Sequence, residues 1–447
     1  MIGEARIKAL QALNSLKNRR VTLDRLLADI DLPKRDRDLM YALVYGVLRW
    51  QARLDWILAH FSRTPISRIE PRILNILRLG LFQILYLDRV PVSASVHSAV
   101  ELAKSQAPPW VAGFVNAVLR NAARNHQKTP FPNPENDPAG WLAAFHSFPK
   151  PLIRRWLQRF EFEKTVKICT AVNEIAPTTL RTCTLNATRR QLAEDLKSQC
   201  ERVELTDFSP DGIRLYGLNT AVFDLAGFAG GGFQVQDEAA QLVGRMLDPR
   251  PDQKVLDACA GLGGKTGHLA QMMKNRGSIV ALDHSFEKLQ RLSKEMERLG
   301  VSIVSTQVHD LHQSPAIESG REFDAVLIDA PCSGLGVLRR NPDAKWSADL
   351  SNLNRYAKRQ SMFLNNLAPL VKTGGVMVYA VCSMEPEENE SVVKSFLNNH
   401  SEFAIDRAVD GLGQQAETLF TPEGCLRTCP CIHDMDGFFA VRLRRTF

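Results

Sequence analysis

No apolar run in this 447-residue chain reaches the ~18 residues that a membrane-spanning helix requires. The richest stretch, Leu79 to Leu87, is too short for that and reads as a buried helix. The opening, "MIGEARIKALQALNSLKNRR", scatters charges through a helical pattern without the h-region of a secretory signal, so a cytoplasmic location is expected. Cysteine is scarce and odd in number, nine in all, which excludes a disulfide framework and leaves reduced thiols. Cys425, Cys429, Cys431 and His433 fall close together but lack the two spaced ligand pairs of a zinc site, so no metal is expected. Internal repeats and low-complexity tracts are absent.

Charge of one sign is also unevenly supplied. Residues 1–130 carry 20 basic and 10 acidic side chains, which leaves 36 basic and 39 acidic for the remainder. The whole surplus behind the net charge of +7 therefore lies in the first third. A basic segment joined to a near-neutral one points to an anionic macromolecule, and nucleic acid is the commonest. A solvated helical face would give the same count.

Apolar residues recur at helical spacing through residues 1–128, as in "RDLMYALVYGVLRWQARLDWILAHF" and "PRILNILRLGLFQILYL", so an all-α bundle is expected there. Pro71 suits a first helical turn, and "DRVPVSASVHSAVELAK" supplies a break and a serine cap before a new helix. Residues 129–145, with four prolines in "KTPFPNPENDPAGW", read as a linker. A small α+β domain is expected over 146–232, with "TTLRTCTLN" and "GIRLYGL" as strands. From 233 to 447, short β-branched runs alternate with helices. "KVLDACA", "SIVALDH", "SIVSTQVHD", "FDAVLIDAP" and "GGVMVYAVCS" are its strands, giving a parallel, doubly wound Rossmann-like sheet that binds ligands at the strands' carboxyl ends.

The glycine turn in "LDACAGLGGKTGHLA" could serve ATP or GTP, NAD, or S-adenosylmethionine. A phosphate loop needs glycine five positions before Gly264, where Cys259 stands. The dinucleotide pattern starts at Gly261 and Gly263 but meets Thr266 at its third glycine. What remains is a bare turn with acids near successive strand ends: Asp257, Asp283, Asp310 and Asp329. Any one could be a helix cap. Together they suit a donor that has a ribose diol and a cationic end but no phosphate, which is S-adenosylmethionine.

Two cysteines close strands of the same sheet, Cys332 in "DAPCSG" and Cys382 in "AVCSMEPEEN". Carbon 5 of cytosine is a poor nucleophile until a thiolate adds to carbon 6 and makes it enamine-like; a base must later take the carbon-5 proton. Asp329 could hold the N3 edge of such a ring. Buried packing thiols are the plain alternative, and spacing does not say which cysteine would attack.

With these residues together, the sequence resembles the RNA cytosine carbon-5 methyltransferases, most closely the bacterial 16S ribosomal RNA branch of Fmu, Sun or RsmB type. The first third is similar to a NusB-type RNA-binding domain in "YALVYGVLRWQARLDWIL", "LRLGLFQILYLDRVPVSASVHSAVELAK" and "GFVNAVLRN". The last part is similar in "FQVQDEAAQLV", "DACAGLGGKT", "DAPCSGLGVLRRNPDAKW", "VCSMEPEENE" and "DGFFAVRL". The resemblance implies methylation of carbon 5 of a specific cytosine in 16S ribosomal RNA by a monomer, through a covalent cysteine–RNA intermediate. Cys382 would be the nucleophile, Cys332 would assist product release, Asp329 would contact the base, and Lys265 would join them. Cys259, Ala260, Gly261, Leu262, Gly263, Gly264, Lys265, Asp283, Asp310 and Asp329 would bind S-adenosylmethionine. Asp237, Asn341, Pro342 and Asp343 would shape the site, with Arg339 and Arg340 near RNA phosphate. The chain departs from the family pattern at Gly261-Leu262, usually Ala-Pro, and at Val381, usually Thr. The same chemistry on tRNA and a non-catalytic RNA-binding assembly factor are the alternatives.

Overall fold

Proline sets the rhythm of the first third. In the computed structural model, which describes residues 3–16, 23–28, 30–315, 322–407, 412 and 414–447, Pro71 and Pro109 open helices, and Pro33 and Pro91 stand just before them. That position needs no backbone N–H and its fixed φ suits a helix start. The helices are Glu4–Ser15, Leu23–Ala28, Lys34–Phe61, Pro71–Tyr86, Val92–Gln106 and Pro109–Asn125. The expected serine cap does not form: the helix begins at Val92 behind Pro91, and the cap makes no side-chain hydrogen bond.

The chain forms two compact units, Met1–Glu174 with Asn341–Ala348, and Ile175–Arg340 with Asp349–Phe447. At the centre of the first, helix Pro71–Tyr86 buries Ile73, Ile76, Leu77, Leu79 and Leu81 against Leu43, Leu54, Leu58 and Leu119. Each such side chain contributes about 1.5–3 kcal/mol. Gly46 lies against the Phe82 ring, where a Cβ would sit 1.9 Å from Cζ, so the close approach requires glycine.

Where a linker was expected, the structure differs. Asp137 caps a helix, Pro138–Phe145, by accepting from the Gly140 N–H at 2.8 Å. Trp56 Nε1 donates to the Pro130 carbonyl at 2.9 Å, and the Arg53 guanidinium lies 4.5 Å from the Phe145 ring centre. The prolines stop helices here, but aromatic residues between them hold the segment down. Helices Lys150–Arg159 and Phe162–Asn173 complete this unit.

The second unit begins with a small antiparallel sheet: β1 (Thr178–Thr182), β2 (Cys200–Leu205), β3 (Gly212–Leu218) and β4 (Phe233–Val235), in the order β2-β3-β1-β4. Helix Arg189–Leu196 packs Leu192 and Leu196 with Leu180, Ile213 and Leu215 of its strands. Sequence pattern anticipated β1 and β3, but neither β2 nor the three-residue β4.

The large sheet holds β5 (Lys254–Asp257), β6 (Ser278–Asp283), β7 (Val304–Val308), β8 (Phe323–Asp329), β9 (Val371–Val381), β10 (Phe403–Ile405), β11 (Leu426–Arg427) and β12 (Phe439–Arg445). Its order is β10-β12-β9-β8-β5-β6-β7, with β11 on β12. The five anticipated strands are parallel to one another, whereas β12 lies antiparallel to β9, so the sheet is mixed. The chain runs outward from β5 through β6 to β7, then returns to β8 on the other side of β5. Such a switch of direction opens a crevice at the strands' carboxyl ends. Among the described residues, no helix is long and apolar enough to cross a membrane.

Candidate active site

The crevice is a cavity of about 460 Å³ at the ends of β5, β6, β8 and β9. Its wall includes Cys259, Gly261, Asp283, Asp310, Asp329, Cys332 and Cys382, so seven sequence-nominated residues meet there.

The β5 loop is shaped by two left-handed glycines, Gly261 at φ +56° and Gly263 at φ +85°. A Cβ on Gly263 would lie 2.8 Å from Leu292 Cγ, while one on Gly261 would meet open space. Gly261 N–H donates to Asp283 Oδ2 at 3.1 Å, and Ala260 N–H donates to the Leu282 carbonyl at 2.8 Å. Ala260, Leu262, Gly263 and Gly264 do not line the cavity, and the Leu262 side chain is exposed. Beneath the loop, fully buried Arg181 of β1 donates to the Gly264 carbonyl at 2.6 Å, to Gln234 at 2.5 Å and to Gln236. Nothing in the sequence flagged Arg181.

Asp257 ends β5 but turns inward. Thr266 Oγ1 donates to it at 2.7 Å, and burial pushes the carboxyl up to about 6. It joins the strand to the helix Gly264–Met272 and does not face the cavity. Asp283 does, with its other oxygen accepting from Ser285 N–H at 2.9 Å. Asp310 lies at the mouth, held below the usual carboxylate range by hydrogen bonds from the backbone and ring of His312. His284, His312, Arg359 and Phe363 also line the wall, and no sequence signal marked them.

At the other end, Lys265 Nζ stands 2.5 Å from Asp329 Oδ2 and 5.4 Å from the Phe438 ring centre. Lys265 thus sits behind Asp329 rather than on the wall. Cys332 Sγ and Cys382 Sγ are 3.1 Å apart. The Cys332 thiol is pushed well above its ordinary range, first by its hydrogen bond to Cys382 and then by burial. Cys259 is pushed well up by burial and by the Asp329 charge.

The other nominated residues of the second unit do not line the cavity. Asp237 caps the helix Glu238–Leu247 and accepts from Arg340 Nη2 at 2.7 Å. Arg340 also pairs with Asp436 at 3.0 Å, and Arg339 pairs with Asp434 at 2.6 Å. These guanidinium groups pair with one exposed carboxylate, Asp434, and one buried carboxylate, Asp436. Asn341, Pro342 and Asp343 belong to the first unit. There the neighbouring Lys345 is buried, 2.5 Å from Asn173 Oδ1 and 3.9 Å from the Phe148 ring centre. Cys425 is buried, Cys429 and Cys431 Sγ are 2.9 Å apart, and His433 Nδ1 accepts from the Cys429 N–H. Among the described residues, no three His, Cys, Asp or Glu are grouped to hold a metal.

A mixed sheet with a glycine turn after its first parallel strand, a carboxylate at the next strand end and no phosphate cradle defines a Rossmann-like methyltransferase domain. Residues 244–444 match the family described as 16S rRNA methyltransferase RsmB/F, residues 3–124 the NusB family, and residues 148–220 the RsmF/B-like ferredoxin-like domain. A curated relative in Bacillus subtilis, named probable ribosomal RNA small subunit methyltransferase B, is 35% identical over 442 residues, 98% of either chain. The solved structure titled PH0851 is 26% identical with a TM-score of 0.79 and 98% of each chain covered. A methyltransferase homolog from Pyrococcus horikoshii, also 26% identical, has a TM-score of 0.59, covering 70% of this chain and 100% of its own. The chain belongs to the RsmB/F methyltransferase family.

Proposed function

We propose that the protein methylates carbon 5 of a cytosine in small-subunit ribosomal RNA, using S-adenosylmethionine, through a bond between Cys382 and carbon 6 of the base. The observation that carries this reading is the Cys332–Cys382 pair, 3.1 Å apart on the wall of the cavity that also holds Asp329. The curated relative's name and the match to the RsmB/F family support the RNA class. So does the basic surplus of residues 1–130.

The donor fits the residues present. Asp283 offers a carboxylate for a ribose diol, the missing side chain of Gly261 leaves room, and Asp329 and Asp310 put negative charge beside a sulfonium and an amine. When bound, S-adenosylmethionine supplies an electrophilic methyl group. The two thiols share a hydrogen bond, and Cys382, its proton passing to solvent, adds to carbon 6 as the thiolate. Asp329, oriented by Lys265, faces the N3 edge of the ring and accepts from the cytosine 4-amino group beside N3. Once carbon 5 carries the methyl group and loses its proton to a base, the carbon 6–sulfur bond breaks. The Cys332 thiol then donates to the departing Cys382 sulfur and regains a proton from the base that took the carbon-5 proton, which closes the cycle.

The test incubates the protein with small-subunit ribosomal RNA and methyl-labelled donor, beside Cys382→Ala, and digests the RNA to nucleosides. Label in 5-methylcytidine that the variant abolishes is the expected result. Transfer to tRNA alone would replace the RNA class, and no transfer to any RNA would favour a binding factor.

A further inference from the structure

The dipeptide Cys-Ser occurs twice at the cavity, as Cys332-Ser333 after β8 and as Cys382-Ser383 after β9. Both serine hydroxyls donate to the same oxygen of Glu388, Ser333 at 2.5 Å and Ser383 at 2.6 Å. The other carboxylate oxygen accepts from the Ser333 N–H at 2.8 Å and from Gln360 Nε2 at 3.1 Å. Tyr379 of β9 donates to the Glu388 carbonyl at 2.6 Å. Glu388 is fully buried. These four carboxylate donors are neutral, so they solvate the charge without cancelling it.

We propose that Glu388 is the positioning residue of the two-cysteine centre, fixing the separation of Cys332 and Cys382 through the hydroxyls of Ser333 and Ser383. The assignment rests on the reading of these two thiols as the reacting pair. A carboxylate that served packing alone would not need one hydroxyl from each cysteine loop on a single oxygen. It has an electrostatic consequence too. A buried negative charge beside two thiols opposes a second one, so the pair holds on to a proton that a neutral neighbour would release. The other charged or titratable groups around the pair include Asp329, countered by Lys265, the Cys259 thiol, Arg359 of the helix Leu353–Leu367, the Tyr379 phenol, and Glu385 within the Cys382 loop.

The experiment alkylates the full-length protein with iodoacetamide across a pH series and reads Cys332 and Cys382 separately by peptide mass spectrometry. Glu388→Gln keeps the size and removes the charge; the midpoint at the two thiols is expected to fall by about one pH unit. A folded variant with an unchanged midpoint would sink the electrostatic part. The tethers are tested with the charge in place, in Ser333→Ala combined with Ser383→Ala, using phenylarsine oxide, which must bridge two thiols. A Cys429→Ser, Cys431→Ser background removes the other close pair. Arsenical affinity is expected to drop about tenfold or more, since bridging depends on the effective concentration of the second thiol. Unchanged affinity would overturn the positional role whatever the midpoint does, and this variant decides alone should Glu388→Gln not fold. Neither readout uses RNA or donor. A lowered midpoint and lost bridging in a protein that methylates no cytosine would keep the clamp and discard the activity.

Discussion

Gly261 and Gly263 stand two positions apart in one loop and are glycine for different reasons. At Gly263 a methyl group would meet Leu292 and Met296, so Gly263→Ala adds overpacking to left-handed strain. A loss of about 2–4 kcal/mol in unfolding free energy is expected. Gly261→Ala carries only the strain, about 1 kcal/mol, but its methyl group would enter the cavity. Its melting temperature should stay near wild type while donor affinity falls, measured by calorimetric titration with S-adenosylhomocysteine. Equal losses in both variants, by both measurements, would remove the distinction. The thiols make the second pair of predictions. Cys382→Ala should lower methyl transfer by at least ~10³-fold and form no covalent RNA adduct. Cys332→Ala should accumulate adduct, visible as a slow band in denaturing gels. Adduct that persists without Cys382 and vanishes without Cys332 would exchange the roles.

The elements were legible in the sequence to unequal degrees. β5, β6 and β8 stop at Asp257, Asp283 and Asp329, and β9 stops one residue before Cys382, so pattern and chemistry marked neighbouring positions. β10 has three residues and β11 two, too few to set a period. β12 alternates arginine with apolar residues, and nothing local says that it runs antiparallel to β9. Arg339 and Arg340 looked like phosphate ligands because Asp434 and Asp436 lie 95 and 96 residues away in the chain. Long-range partners of this kind leave no mark in a local pattern.

The helix Gly264–Met272 carries another such residue. Its His268 is fully buried, with Nε2 3.5 Å from Asp211, and burial holds the ring down to about 4. Unfolded, it would take a proton near pH 6.5. Between those values the unfolded chain binds a proton that the folded chain refuses. Stability from the neutral ring is therefore complete above pH 6.5 and lost as pH falls towards 4. That loss is on the order of 3 kcal/mol. His268→Gln removes this contribution, so its stability deficit against wild type should shrink from pH 7 to pH 4 in paired urea titrations. A constant deficit would mean that His268 contributes packing alone.

At the scale of the molecule the decisive quantity is where the charge lies. With a surplus of 10 in residues 1–130 and a deficit of 3 beyond, sequence-independent attraction for RNA has to come mainly from the first third. Helix Pro109–Asn125 shows how it could be presented. Arg120 and Arg124 are one turn apart and exposed, each bonded among the described residues only within the helix, and Lys128 follows on the exposed surface. Unlike Arg339 and Arg340, these two arginines pair with no carboxylate among the described residues, so under the proposed function they are the candidates to meet RNA phosphate. Replacing both by glutamine should weaken binding to every RNA alike and reduce the slope of log affinity against log salt by about 2. Under the proposed function the methylated position should not change, because phosphate contacts carry no sequence information. Filter binding across a salt series measures the slope, and nucleotide mapping of the methyl group measures the position. An unaltered slope would make this stripe a solvated helix face and return the basic surplus to solubility. A shifted methyl group with an unaltered slope would move the choice of cytosine into the helical unit.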